Sequence, residues 1–154
     1  MSSFSSFVSN VSNYWSNLTE TTSKYIDDLC NDAITSHYLN LGNKKLTDIP
    51  EELFEVKELE TELEVLLLNR NLLTKVPDEI GKLKGLKFLL LSYNKITNIP
   101  NELTTNLVAL DISNNLIREI PDSIFTKLTN LMYLNLTCNE LTELSDNIQY
   151  FTKL

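Results

Sequence analysis

The stretch Leu63–Gly85, LEVLLLNRNLLTKVPDEIGKLKG, has too many leucines for a surface segment and too many polar residues for a continuous buried strand. Laid under the rest of the chain, it recurs. Copies begin at Leu86 (LKFLLLSYNKITNIP), Leu107 (LVALDISNNLIREIP) and Leu131 (LMYLNLTCNELTELS), after steps of 23, 21 and 24 residues. A poorer copy, SHYLNLGNKKLTDIP, starts at Ser36. The shared frame is L-x-x-L-x-L-x-x-N-x-L-x-x-I-P, with a further apolar residue three positions on. A unit this short cannot bury its apolar face alone, but stacked units share one continuous core.

Each part of the frame has a physical reason. The L-x-L alternation is strand periodicity with one buried face. Leu66 and Leu68, Leu89 and Leu91, Leu110 and Ile112, and Leu134 and Leu136 should point inward. Stacking should then pair each short strand with the next in a parallel sheet. Asn71, Asn94, Asn115 and Asn139 fall where the chain bends off the strand. Buried backbone groups there need partners, and an amide offers both a donor and an acceptor. Lys44 takes that place in the first copy. All four prolines, Pro50, Pro77, Pro100 and Pro121, hold one phase, which suits the first turn of a short helix or an extended arm on the return path. Leu53, Ile80, Leu103, Ile124 and Ile148 should then tuck back into the core. The first copy carries extra residues within EELFEVKELETELE. This predicts a longer convex helix with Leu53, Val56 and Leu59 inward and seven glutamates around them.

The frame resembles the leucine-rich repeat family, in the intracellular form of about 23 residues whose second half begins Ile-Pro. The resemblance covers residues 36–154. It implies an α/β fold: a right-handed solenoid of about five coils, a horseshoe segment with a parallel concave sheet and an N-terminal helical cap. It also implies a non-catalytic module that binds a protein partner on the concave face, as a scaffold or targeting arm in intracellular signalling. Leu154 lies 23 residues after Leu131, where the next copy's first leucine belongs, so the frame is cut and the sequence reads as a fragment of a longer protein. That opens an alternative, in which these repeats direct a larger enzyme such as a phosphatase, kinase or GTPase to its substrates. Self-association through an open last coil is another.

Residues flanking and between the strand leucines face the concave side, free of the core. One row reads Tyr38, Val65, Phe88, Ala109, Tyr133. The next reads Asn40, Leu67, Leu90, Asp111, Asn135. A third is Gly42, Asn69, Ser92, Ser113, Thr137, and a fourth Asn43, Arg70, Tyr93, Asn114, Cys138. Val65, Leu67, Phe88 and Leu90 should form a contiguous exposed apolar patch, rimmed by Tyr38, Arg70, Tyr93, Asp111, Tyr133 and Asn135. Apolar patches with aromatic and Arg rims are typical of protein interfaces. Phe88 and Tyr93 are the expected anchors.

Residues 1–35 differ in composition. The first nineteen carry no charge and are crowded with Ser and Asn. Phe4, Phe7, Val8, Val11, Tyr14, Trp15 and Leu18 fall within an arc of roughly 120° on a helix. Residues 1–22 are therefore an amphipathic segment. Three uses stay open: a longer cap, association with a partner helix or second copy, and weak docking on a membrane surface. Residues 23–35, SKYIDDLCNDAIT, should form the helical cap, with Ile26, Leu29, Cys30, Ala33 and Ile34 over the first coil.

A net charge of −8 argues against nucleic acid or an anionic membrane as an electrostatic partner. Two cysteines, Cys30 and Cys138, are too few for a disulfide framework and match no zinc spacing, so the expected setting is the reducing cytoplasm. The sequons at Asn10, Asn17 and Asn135 then read as chance matches in an Asn-rich chain. The chain has one histidine, His37, expected on the surface, and Gly42, Gly81 and Gly85 form no phosphate loop. No catalytic constellation, cofactor or metal ligand set is expected.

Overall fold

A computed structural model describes residues 32–49 and 51–154. The expectations for residues 1–22, for the cap before residue 32 and for Pro50 lie outside the described residues. Five three-residue strands follow the frame: β1 (Tyr38–Asn40), β2 (Val65–Leu67), β3 (Phe88–Leu90), β4 (Ala109–Asp111) and β5 (Tyr133–Asn135). They form one parallel sheet in chain order. Tyr38 pairs with Val65, Val65 with Phe88, Phe88 with Ala109 and Ala109 with Tyr133. The register is therefore the repeat itself, with no slip. The fold is the leucine-rich-repeat solenoid that the frame implies.

The inward leucines make one core. Leu39, Leu66, Leu89 and Leu110 form its central column, flanked by Leu41, Leu68, Leu91 and Ile112. Leu134, Leu136 and Ile148 of the last coil pack against it but are only partly buried. Leu53, Ile80, Leu103 and Ile124 close the core from the convex side. Residues 32–36 are helical, and Ala33 is buried with Ile34 packed beside it.

The asparagine column does the job its chemistry suggests. The Asn71 amide donates to the carbonyls of Leu41 and Leu68 at 2.8 and 2.9 Å. Asn94 donates to Leu68 and Leu91, Asn115 to Leu91 and Ile112, and Asn139 to Ile112 and Leu136. The amide oxygens of Asn94, Asn115 and Asn139 accept the backbone N–H of Leu73, Ile96 and Ile117 in the coil before. Each asparagine thus ties two coils together with its own bend. In the first coil Lys44 brings no amide, and Asn71 Oδ1 accepts from both the Lys44 and the Leu46 N–H, each at 3.0 Å.

The convex side departs from expectation in one place. The single long acidic helix is instead a 3₁₀ turn, Glu51–Phe54, and a separate helix α1, Lys57–Glu62. Val56 between them is extended, at φ −81° and ψ 101°. Leu53, Phe54, Val56 and Leu59 are all buried, and the break at Val56 is what lets Phe54 join them. The proline rule holds for Pro77, which precedes a 3₁₀ helix at Asp78–Lys82, and for Pro121, which precedes α2, Asp122–Lys127. At Pro100 the chain takes the extended alternative. That coil is the shortest, 21 residues, and its return path (residues 101–106) runs without a helix, with Thr104 buried.

Candidate functional site

Strand register sets the candidate face. Because the partners lie side by side, Val65 and Leu67 of β2 stand next to Phe88 and Leu90 of β3. All four lie on the side of the sheet away from the core. Phe88 is 39% exposed, while Val65, Leu67 and Leu90 are half-buried by one another. Tyr38 continues the first row on one side. On the other the row passes through Ala109 to Tyr133, which is 52% exposed. The expected apolar patch therefore exists, and its aromatic neighbours lie where the frame puts them.

The polar residues Asp111, Asn135 and Asn40 also bond locally. Asp111 Oδ1 accepts the backbone N–H of Ser113 at 3.0 Å. Asn135 Oδ1 accepts from both the N–H and the hydroxyl of Thr137, and Asn40 Oδ1 accepts the N–H of Gly42. These side chains fold back on the turn that follows their strand, as Asn and Asp do readily. Asp111 and Asn135 are thus half-buried turn-formers, each already engaged before any partner arrives. The third row is corrected. Ser92 and Ser113 are buried, not free of the core, because the sheet curls inward toward the asparagine bend.

The fourth row holds a feature that periodicity alone does not show. Asn43, Arg70, Tyr93, Asn114 and Cys138 all have positive φ, between 54° and 57°. Each directly precedes the bend position. The left-handed residue turns the chain so that its N–H bonds to the neighbouring coil: Arg70 to the Ser92 carbonyl, Tyr93 to that of Ser113, Asn114 to that of Thr137. It also stands the side chain out from the sheet end. Tyr93 is 53% exposed, and the Arg70 guanidinium sits 4.9 Å from its ring centroid.

Edge contacts set the electrostatics around the face. Lys87 pairs with Glu64 at 2.6 Å, and that hydrogen bond, the largest influence, holds the Glu64 carboxyl below its ordinary pKa. His37 is exposed and approaches the carbonyl and carboxylate of Glu62, rather than a hydroxyl or thiol. Cys138 is exposed and free. Among the described residues no group of three or more His, Cys, Asp or Glu could hold a metal ion, and no helix is long and apolar enough to cross a membrane. The helix-free return path leaves an open convex groove lined by Asp78, Glu79, Lys82, Lys84 and Glu102.

Models of the leucine rich repeat match residues 85–105 and 105–154. Mouse (Mus musculus) keratocan is 36% identical over 109 residues, which is 69% of this chain and 30% of keratocan. The chain therefore spans about a third of the length of that relative. Among solved structures, a leucine-rich-repeat protein of Leptospira interrogans superposes with a TM-score of 0.64 at 28% identity, covering 80% of this chain and 38% of that one. A plant peptide hormone receptor, RGFR1, in complex with RGF2 superposes with a TM-score of 0.61 at 35% identity, covering 70% of this chain and 17% of the receptor.

Proposed function

We propose that this leucine-rich-repeat solenoid is a non-catalytic binding module that takes a protein partner against its concave sheet. The observation that carries the reading is the β2–β3 register, which sets Val65, Leu67, Phe88 and Leu90 together on a solvated face. These side chains contribute little to the core, so their apolar character serves something outside the fold. Phe88 and Tyr93 are the anchors, with Tyr38, Arg70 and Tyr133 around them. Asp111 and Asn135 shape the turns that frame the face. The complex of the plant receptor with its peptide hormone supports a peptide or protein as the ligand class.

The role that follows is rigid presentation. Each coil is tied to the next by sheet, asparagine column and core, so little ordering is needed on binding. A scaffold or targeting arm in cytoplasmic signalling fits this behaviour and the two thiols, Cys30 and Cys138.

The test is a Phe88→Ala, Leu90→Ala double variant in pull-down against wild type, with bound proteins identified by mass spectrometry. Circular dichroism should be unchanged and the wild-type partner lost. Undiminished capture of the same partner would move the site off this face.

A further inference from the structure

We propose that the partner presents a single carboxylate beside an apolar side chain, with the carboxylate read by Arg70 and the apolar group seated on Phe88, Leu67 and Leu90. This rests on the concave face being the binding face, and it names what that face recognises.

Three observations carry it. The first is that Arg70 is exposed and stacked on Tyr93, yet makes no salt bridge with any carboxylate among the described residues. Among the described residues no hydrogen bond uses the Arg70 guanidinium N–H groups, which leaves them for a bidentate carboxylate. By contrast, Lys87 at the rim is already paired with Glu64, and the Asp111 carboxylate already accepts from Ser113.

The second observation is backbone cost. The left-handed column holds Asn43 and Asn114 at φ 56° and 54°, a conformation Asn tolerates well. Arg70 and Tyr93 occupy the same conformation at φ 57° each, without that tolerance. Two bulky side chains stand in adjacent coils at sites where asparagine fits better, and they meet each other there. Cys138, His37 and Lys45 share this backbone at φ 55°, 59° and 60°, so what sets Arg70 and Tyr93 apart is that their side chains meet.

The third is charge. The chain carries a net charge of −8, so an acidic tract would be repelled by the protein as a whole. One carboxylate beside an apolar group carries far less of that penalty, and it suits the unpaired Arg70, three residues past Leu67 at the end of β2. The recognised element is therefore one Asp, Glu or chain-terminal carboxylate at a fixed distance from a Leu or aromatic side chain.

The experiment is selection of a random dodecapeptide phage library on the whole protein, in parallel with Arg70→Asn and Phe88→Ser. Arg70→Asn suits the left-handed backbone, so its folding is secure. Wild type should enrich peptides with one acidic residue at constant spacing from an apolar one. Arg70→Asn should enrich the apolar residue without the acid, and Phe88→Ser should fail to bind the wild-type peptides. For a synthetic peptide of the wild-type set, replacing its carboxylate by the amide should weaken binding about tenfold to wild type and leave binding to Arg70→Asn unchanged. Peptides lacking a fixed acid, or the same acid emerging from Arg70→Asn, would overturn the carboxylate inference while leaving the concave face as the binding face. Undiminished binding of those peptides to Phe88→Ser, or an empty selection on wild type, would overturn both.

Discussion

The Asn94 side chain reaches out of its own coil to donate to the Leu68 carbonyl at 3.0 Å, while the same nitrogen bonds Leu91 at home at 2.9 Å. Its oxygen accepts the Leu73 N–H at 3.1 Å. All of this is buried, so no water can substitute. Asn94→Ala should cost about 1–3 kcal/mol, because it strands the Leu73 N–H and leaves the Leu68 and Leu91 carbonyls with one amide donor each, from Asn71 and Asn115. Asn139 makes the same bonds in a half-exposed setting, and Asn139→Ala should cost less, since solvent reaches the groups left behind. Urea unfolding of the two variants measures the difference, and equal losses would mean that burial is not what gives the column its value.

Gly85 is held by close approach of two coils rather than by an unusual backbone angle. A Cβ there would lie 2.2 Å from the Thr61 carbonyl oxygen and 3.2 Å from that of Leu63. Both obstacles are main chain and cannot swing away. Gly85→Ala should therefore lower stability by about 1–3 kcal/mol or more. Gly42→Ala is the control. Its nearest obstacles are the Asn69 and Asn40 side-chain oxygens at 3.0 and 3.1 Å, which can move. Thermal midpoints should fall clearly for the first variant and little for the second.

Much of this architecture is legible in the sequence, and the reason is local. A period of two within each strand and a fixed phase between copies leave one register, so the concave rows from Tyr38 to Tyr133 could be written down in advance. What escaped depends on contacts between coils or on coil length. Which of the two return paths Pro100 starts, helix or extended arm, depends on the length of its coil. The break at Val56 comes from Phe54 competing for the core. The burial of Ser92 and Ser113 comes from how far the sheet curls before the asparagine bend. Within the site, the aromatic and aliphatic residues were legible because strand alternation fixes their side. The local bonds of Asp111 and Asn135 to the turns after their strands were not legible, because hydropathy patterning does not weigh a side chain's own backbone.

The Glu64–Lys87 pair predicts a modest acid dependence. The Lys87 hydrogen bond depresses the Glu64 carboxyl pKa first of all, with the charges of Lys87 and His37 adding to it. A carboxylate depressed in the folded state contributes stability that is present above its unfolded pKa and is lost as pH falls through the folded value. Asp122 behaves alike, lowered by hydrogen bonds from Asn147 and Ser145. Both groups are solvent-accessible, so salt should weaken the effect. In urea titrations at decreasing pH, Lys87→Met should be less stable than wild type at neutral pH, and the gap should close in acid. A gap that stays constant would show that Lys87 acts through packing of its stem instead.

Phe88 and Phe125 are the same residue type on opposite sides of one sheet, and they should respond in opposite ways to truncation. Phe125 is 0% exposed in α2, with its ring 5.1 Å from that of Phe151 and tilted by 46°. Removing it opens a cavity between the last two convex segments, and Phe125→Ala should cost about 3–5 kcal/mol. Phe88 covers only part of Val65 and Leu67 and otherwise faces solvent, so Phe88→Ala should cost no more than about 1 kcal/mol. Denaturant midpoints at unchanged slope decide the matter. A loss at Phe88 as large as that at Phe125 would mean that the concave side chains hold the sheet together, and that the exposed patch has a structural use rather than a binding one.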